Sequence, residues 1–234
     1  MQQLPLGVRL ADTARFESYL AGPNRHVLEL MGGAMPPRML WLWGRRGTGK
    51  THLLQAACAA VGARGGSAAY LDLEVADSPA RLEGFDALEL VCLDGLERIS
   101  TDPAWNAAIF RLHTLMQDSP PDRPGRLYVA STAPPVSLRF QLPDLRSRLL
   151  AASVHQLSEL AEDDRIIVLE QRAQRRGLDL PREAAAWLVH HLPRDLHTLC
   201  GALDRLDQAA MVAQRRLTVP FLRQVLEVQS AEVP

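Results

Sequence analysis

The chain has 234 residues, 47% of them hydrophobic, and 26 basic against 27 acidic residues leave a net charge of −1. That is enough apolar material for one sizeable core, or for a core and a small second domain. The balanced charge excludes a global positive field that would draw the protein onto nucleic acid or anionic membrane, so any DNA contact has to be local. No apolar run approaches the ~20 residues that span a bilayer, and the amino terminus lacks the basic segment and apolar stretch of a signal peptide; a cytoplasmic protein is expected. Cys58, Cys92 and Cys200 lie far apart in apolar periodic segments with no C-x-x-C pair, which reads as buried reduced thiols and not as disulfides or a zinc site.

Residues 1–12 are polar, carry Pro5 and Gly7, and show no periodicity that could bury a face, so a flexible arm is expected. Within it Gln3, Leu4, Leu6 and Val8 alternate a hydrogen-bonding amide with apolar anchors, a pattern suited to an extended peptide laid in a groove. Residues 16–20 and 25–31 have helical spacing, broken by Gly22-Pro23-Asn24 and ended by Pro36-Pro37. Residues 39–43, Met-Leu-Trp-Leu-Trp, then form a short apolar run suited to a buried strand.

The next stretch, Gly44-Arg45-Arg46-Gly47-Thr48-Gly49-Lys50-Thr51, fits the phosphate-binding pattern G-x-x-x-x-G-K-[ST] at every fixed position, and helical spacing follows from His52. Gly44, Gly47 and Gly49 let backbone N–H groups approach phosphate oxygens that a side chain would block. Lys50 adds a charge for the β- and γ-phosphates, Thr51 offers a hydroxyl to Mg²⁺, and the helix turns its positive end to the same anion. Lys50 is the single lysine of the chain, kept where a flexible ammonium suits a phosphate.

Residues 68–73 read as a second strand and residues 88–94 as a third, apolar enough to be covered on both faces and ending in Asp94, where the carboxyl end of a parallel sheet meets its ligand crevice. An acid there can hold the water shell of Mg²⁺ opposite Thr51; the plainer reading is a strand-ending acid at a turn. The next position, where hydrolytic relatives place a water-orienting glutamate, is Gly95, which cannot polarise water. Glu97 lies three residues on and reads as a solvated charge. Asp102 can cap a helix over Trp105, Ile109, Leu112 and Met116, a Pro-rich stretch leads to a fourth strand at 127–131, and a helix at 142–150 leads to a fifth at 153–157.

Ser131 and Thr132 follow the fourth strand and are read either as γ-phosphate sensors or as a cap before Pro134-Pro135. The apolar residues of 142–150 fix a helix whose arginines face out. Arg148 among them is either solvated or held to reach a neighbouring subunit's nucleotide. Beyond residue 160 the strand signal stops, and residues 166–176, 182–192, 194–214 and 219–228 read as four helices of a small second domain. Arg194 opens the third of them, within reach of phosphates in its own site.

With P-loop, Asp-ended third strand, polar fourth-strand end, Arg148 and Arg194 in this order before a helical tail, the chain resembles the AAA+ ATPases, and within them the initiator branch related to DnaA. Residues 142–149 resemble the box VII segment and Pro193-Arg194-Asp195-Leu196 the sensor 2 helix. The resemblance runs from residue 16 onward, and no counterpart of the family's helix-turn-helix DNA-reading domain is expected, hence no direct sequence-specific DNA binding.

It implies an α/β fold: an AAA+ P-loop domain over 13–160 with a five-stranded parallel sheet flanked by helices, and a small all-α lid over 161–234, preceded by the arm at 1–12. It also implies a regulatory adaptor of the kind that inactivates DnaA. ADP or ATP with Mg²⁺ would be held by Gly44, Gly47, Thr48, Gly49, Lys50, Thr51, His52, Asp94, Thr132 and Arg194, with Thr51 and Asp94 on the metal and residues 16–24 near the adenine. Arg148 would act in trans as an arginine finger on DnaA's nucleotide. Gln3, Leu4, Leu6 and Val8 would bind the DNA polymerase sliding clamp, although Val8 replaces a larger apolar residue there. A homo-oligomer is compatible with the family. The alternatives are a DnaC-like helicase-loader ATPase acting through its own hydrolysis, against which Gly95 argues, and a small-molecule P-loop kinase, which the Leu-rich helical tail and Arg148 fit less well.

Overall fold

The computed structural model describes residues 14–120, 124–213 and 215–230. The arm residues Gln3, Leu4, Leu6 and Val8 lie outside the described residues. The chain divides into two compact units, one of residues up to Arg45 with Gly49–Ser158, the other of Arg46–Thr48 with Glu159 onward.

The first unit is built on five parallel strands, β1 Met39–Trp43, β2 Ala68–Asp72, β3 Leu90–Asp94, β4 Arg126–Ser131 and β5 Ser153–Gln156, in the order β2-β3-β4-β1-β5. Side chains alternate across the sheet, so β1 to β4 each feed two cores. Leu40, Leu42, Leu90, Cys92, Tyr128 and Ala130 pack with helices α1 Arg25–Gly32 and α2 Lys50–Ala63. Trp41, Val91, Leu93, Leu127 and Val129 pack on the other face with α3 Pro103–Gln117 and α4 Pro143–Leu150. Burial on both faces is why the strands read as continuous apolar runs, β3 being buried at all five positions. Because every strand runs the same way, their carboxyl ends share one edge, where register sets Asp72 beside Asp94, Asp94 beside Ala130, and Trp43 beside Ser131.

The second unit holds α5 Glu162–Arg175, α6 Arg182–His191, α7 Leu196–Ala213 and α8 Val219–Ser230. Leu169, Leu188, Leu199, Leu203, Leu206 and Leu222 are fully buried in its own core, so the leucine stripe of α7 is the packing face of a small helical bundle.

Four elements differ from the sequence reading, α5 among them, since it begins at Glu162 and not at residue 166. Residues 16–20 do not form a helix; Phe16–Ser18 is a single 3-10 turn and Gly22–Asn24 another. Five residues ahead of Gly22-Pro23 cannot offset the cost of helix nucleation, and Phe16 and Tyr19 pack instead on the α1 and α2 core. The third strand begins at Leu90 and not at residue 88, because a 3-10 turn at Phe85–Ala87 comes first and the Glu89 N–H bonds sideways to Ser67. Helix α7 begins at Leu196, so Arg194 precedes it; the Asp195 carboxylate accepts from Thr198 N–H at 2.9 Å and starts the helix there. Cys58 and Cys92 are buried and Cys200 half-buried, all three as free thiols.

Candidate nucleotide-binding site

The loop between β1 and α2 is anchored at its start by Gly44 N–H, which donates to the Ser131 carbonyl at 3.3 Å. At its end Gly49 takes a left-handed conformation, φ 90°, directly before α2. A Cβ there would lie 2.6 Å from the Tyr19 ring, so position 49 requires glycine both for conformation and for space. No side chain caps α2. Its first N–H groups therefore keep their partial positive charge for an anion, which is what a phosphate-binding loop requires.

Lys50 folds back on the loop, donating to the carbonyls of Gly44 at 2.7 Å and Arg45 at 2.9 Å. Burial pushes its ammonium below the ordinary lysine range, against the pull of the Asp94 and Glu97 carboxylates. One residue on, Thr51 Oγ1 donates to Asp94 Oδ2 at 2.6 Å, and the same oxygen accepts from the Tyr70 hydroxyl at 2.9 Å. Burial raises the Asp94 carboxyl above its usual range, and these two donors hold the rise back. Tyr70 is driven up in turn, first by burial and then by Asp94. Thr51 and Asp94, far apart in sequence, are therefore brought together at the sheet edge.

The remaining candidates are placed differently. His52 Nε2 lies 2.9 Å from the Arg15 carbonyl and 3.1 Å from Ser18 Oγ, tying the 3-10 turn to α2. Thr48 is buried and Gly47 has φ 80°. The Ser131 hydroxyl is taken up by structure, accepting from Trp41 Nε1 at 2.8 Å and donating to the Ala133 carbonyl, whereas Thr132 is exposed. Arg194 is exposed in the second unit.

Two readings are corrected. Arg148 does not face out: its guanidinium lies 4.2 Å above the Phe110 ring, and Nη1 donates to Thr114 Oγ1 at 2.7 Å, because α3 presents an aromatic face and a hydroxyl one turn apart. Glu97 is not a solvated charge, since its Oε2 is buried and receives no protein hydrogen bond.

Sequence reasoning missed Tyr19, Asn24 and Tyr70. Tyr19 covers Gly49, packs on His52 with ring centroids 5.6 Å apart, and is pushed up to about 12 by burial. Asn24 is fully buried and clamps the start of the unit to its end, donating to the Tyr19 hydroxyl at 3.2 Å and to the Ser158 carbonyl at 2.9 Å, while accepting from Ser158 N–H at 2.8 Å. Each acts through contacts that no local motif announces.

The residues fit a magnesium nucleotide. The glycine cradle at position 49, the uncapped helix end and Lys50 suit phosphates, and the paired Thr51 hydroxyl and Asp94 carboxylate suit a hard cation. Among the described residues no group of three His, Cys, Asp or Glu side chains forms a metal cage, so the phosphates and water would complete the coordination.

Among P-loop proteins, a sheet ordered β2-β3-β4-β1-β5 and followed by a separate helical unit is the architecture of the AAA+ class, and the comparisons agree. Residues 162–226 match the family model of the Hda lid domain. Domain III of the Thermotoga maritima replication initiation protein DnaA superposes with a TM-score of 0.78 at 17% identity, covering 94% of this chain and 98% of that one. AMPPCP-bound DnaA from Aquifex aeolicus gives 0.67 at 20% identity, covering 86% and 67%. The Thermotoga maritima RuvB Holliday junction branch migration motor gives 0.61 at 16%, covering 86% and 64%. This chain thus spans about two thirds of the length of the longer chains. Over residues 162–226 the chain thus matches the Hda lid domain, and as a whole it has the fold of DnaA domain III.

Proposed function

We propose that this protein is a regulatory adaptor that binds adenine nucleotide with Mg²⁺, docks on the DNA-loaded sliding clamp of DNA polymerase, and makes DnaA hydrolyse its bound ATP, so that re-initiation of replication is inhibited. The observation that carries the reading is the match of residues 162–226 to the Hda lid, on a chain whose other unit has the AAA+ fold. In this reading Gly44, Gly47, Thr48, Gly49, Lys50 and Thr51 cradle the phosphates, Asp94 holds the metal's water shell, and Thr132 and Arg194 complete the nucleotide contacts. The adenine-nucleotide choice is supported by the AMPPCP carried by the DnaA relative.

Arg148 acts in trans on DnaA's nucleotide. Its seat on Phe110 and Thr114 limits the rotamers it can sample, which suits a group that has to arrive at a partner already oriented. Gln3, Leu4, Leu6 and Val8 form the clamp-binding peptide. The working place is the cytoplasm; no helix among the described residues is long and apolar enough to cross a membrane.

A DnaC-like loader that cycles on its own hydrolysis is the competing reading. Gly95, left-handed at φ 80°, stands where such a motor would carry its water-orienting acid. Steady-state turnover by the purified protein alone separates the two. The adaptor reading expects a rate well below the ~1 to 10³ s⁻¹ of typical enzymes, and turnover within that range would favour the motor.

A further inference from the structure

We propose that His113 is a positioning residue for Arg148: its neutral imidazole completes the seat in which the guanidinium is presented, and its protonation empties that seat, so that the action in trans is kept to neutral pH and withdrawn on acidification. The inference rests on the reading of Arg148 given above and adds a control to it.

The seat is built from one face of α3. Phe110, His113 and Thr114 stand at i, i+3 and i+4, where the side chains of a helix are neighbours. The Phe110 ring lies under the guanidinium at 4.2 Å. Thr114 Oγ1 donates to the Phe110 carbonyl at 2.9 Å, so its lone pairs are left for Arg148, whose Nη1 donates to it at 2.7 Å. The same Nη1 lies 3.4 Å from His113 Nδ1. Among the described residues the side-chain hydrogen bonds of Arg148 are made by Nη1, which leaves Nε and Nη2 for a nucleotide.

The donors fix the state of His113. A guanidinium has no acceptor, so Nδ1 must offer a lone pair, and the imidazole is neutral with its proton on Nε2. There the Gln117 side-chain amide stands at 3.4 Å and can meet that proton with its oxygen. His113 is buried, and burial first, then the Arg148 charge, hold it below the ordinary histidine range. The cavity that His113 lines also has Arg38, ahead of β1, and Asp118, after α3, on its wall, with the uncharged Met39 of β1 and Leu127 of β4. Arg38 is bonded to the Met116 and Gln117 carbonyls, and Asp118 is exposed, so Arg148 is the charge that bears on the imidazole most closely.

Protonation removes the acceptor at Nδ1 and sets an imidazolium against a guanidinium at the same short distance, where two positive charges repel strongly because little water lies between them. Of the two groups Arg148 is the half-buried one and can swing out, whereas His113 is held in the core. Because the folded imidazole titrates below its unfolded value, the seat is complete above the ordinary histidine range and is lost as pH falls through the lower folded value.

The test uses the whole chain and two measurements. The first follows the His113 imidazole by NMR through a pH titration, its signal assigned by its loss in His113→Gln. Wild-type His113 is expected to titrate below the ordinary histidine range, and Arg148→Met, which keeps an apolar stem and removes the charge, is expected to move it up. The second is the acceleration of ATP hydrolysis on DnaA, with clamp loaded on DNA, from about pH 8 down to about pH 5.5, all proteins being compared at the same pH. His113→Gln can turn an amide oxygen to Nη1 and takes up no proton. It is expected to match the wild type at the neutral end and to exceed it by at least about tenfold at the acid end, whereas a merely structural histidine would change the acceleration by one factor at every pH. A His113→Gln protein whose acceleration falls with pH in step with the wild type's, or an Arg148→Met protein in which His113 titrates unchanged, overturns the inference and leaves the Arg148 reading standing. Undiminished acceleration by Arg148→Ala, or none by the wild type, overturns both.

Discussion

Thr51 Oγ1 donates to Asp94 Oδ2 at 2.6 Å across 43 residues of sequence, and Tyr70 donates to that same oxygen at 2.9 Å. Both protein donors go to one oxygen, so an asparagine at position 94 can keep both bonds through its amide oxygen while losing the charge. Burial raises the Asp94 carboxyl in the fold. A raised carboxyl makes the fold more stable below the unfolded pKa, and that contribution is lost as pH rises through the folded value. Asp94→Asn is therefore expected to raise Tm near pH 7 by roughly 2–4 °C, on the order of 1 kcal/mol, and the gain should shrink as pH falls toward about 4. Melts across that range check it, and the same variant should lose Mg²⁺-dependent nucleotide affinity. A variant less stable than the wild type at pH 7 would contradict the reading of Asp94 as a charge held at a cost for its ligand.

Lys50→Ala should remove tight nucleotide binding and leave the fold intact, because the ammonium contacts only loop carbonyls. Wild-type protein at a hundredfold excess of nucleotide over Kd should gain about 2.7 kcal/mol in stability. The variant should gain nothing by the same thermal-shift measurement.

Gly95→Glu should not create a motor. A side chain at φ 80° costs roughly 1–2 kcal/mol, although space for a Cβ is open, the nearest atom being Arg98 Cγ at 3.9 Å. The expected outcome is a protein destabilised by about that amount with turnover no faster than the wild type's. A large gain in turnover would mean that the missing acid alone limits hydrolysis.

What the sequence made legible is what local pattern encodes. The P-loop and the Asp94-ended strand each need only spacing, and both fall on the elements expected of them. Tyr70, Asn24 and the Phe110–Thr114 seat of Arg148 were not legible, because each joins residues 24 to 134 positions apart in the chain. Glu97 was misread for a different reason. A charged residue near a turn is usually solvated, and nothing in the local pattern shows that the turn after Gly95, anchored by Leu96 and Ile99, leaves one oxygen of this one buried.

Deleting residues 1–8 should leave Tm and nucleotide affinity unchanged and abolish binding to the sliding clamp, since Leu4 and Leu6 supply the apolar anchors and Pro5 lowers the entropy lost on docking. Surface-plasmon binding of both forms to immobilised clamp checks it. Full-affinity binding by the truncated protein would place the contact elsewhere.

The central claim is tested most directly by following labelled ATP bound to DnaA as it becomes ADP, with clamp loaded on DNA, in the presence of wild-type protein or Arg148→Ala. The account predicts that wild-type protein accelerates the conversion and that Arg148→Ala, with its own nucleotide affinity unchanged, loses at least about 10³-fold of the acceleration. Undiminished acceleration by Arg148→Ala, or none by the wild type, would contradict it.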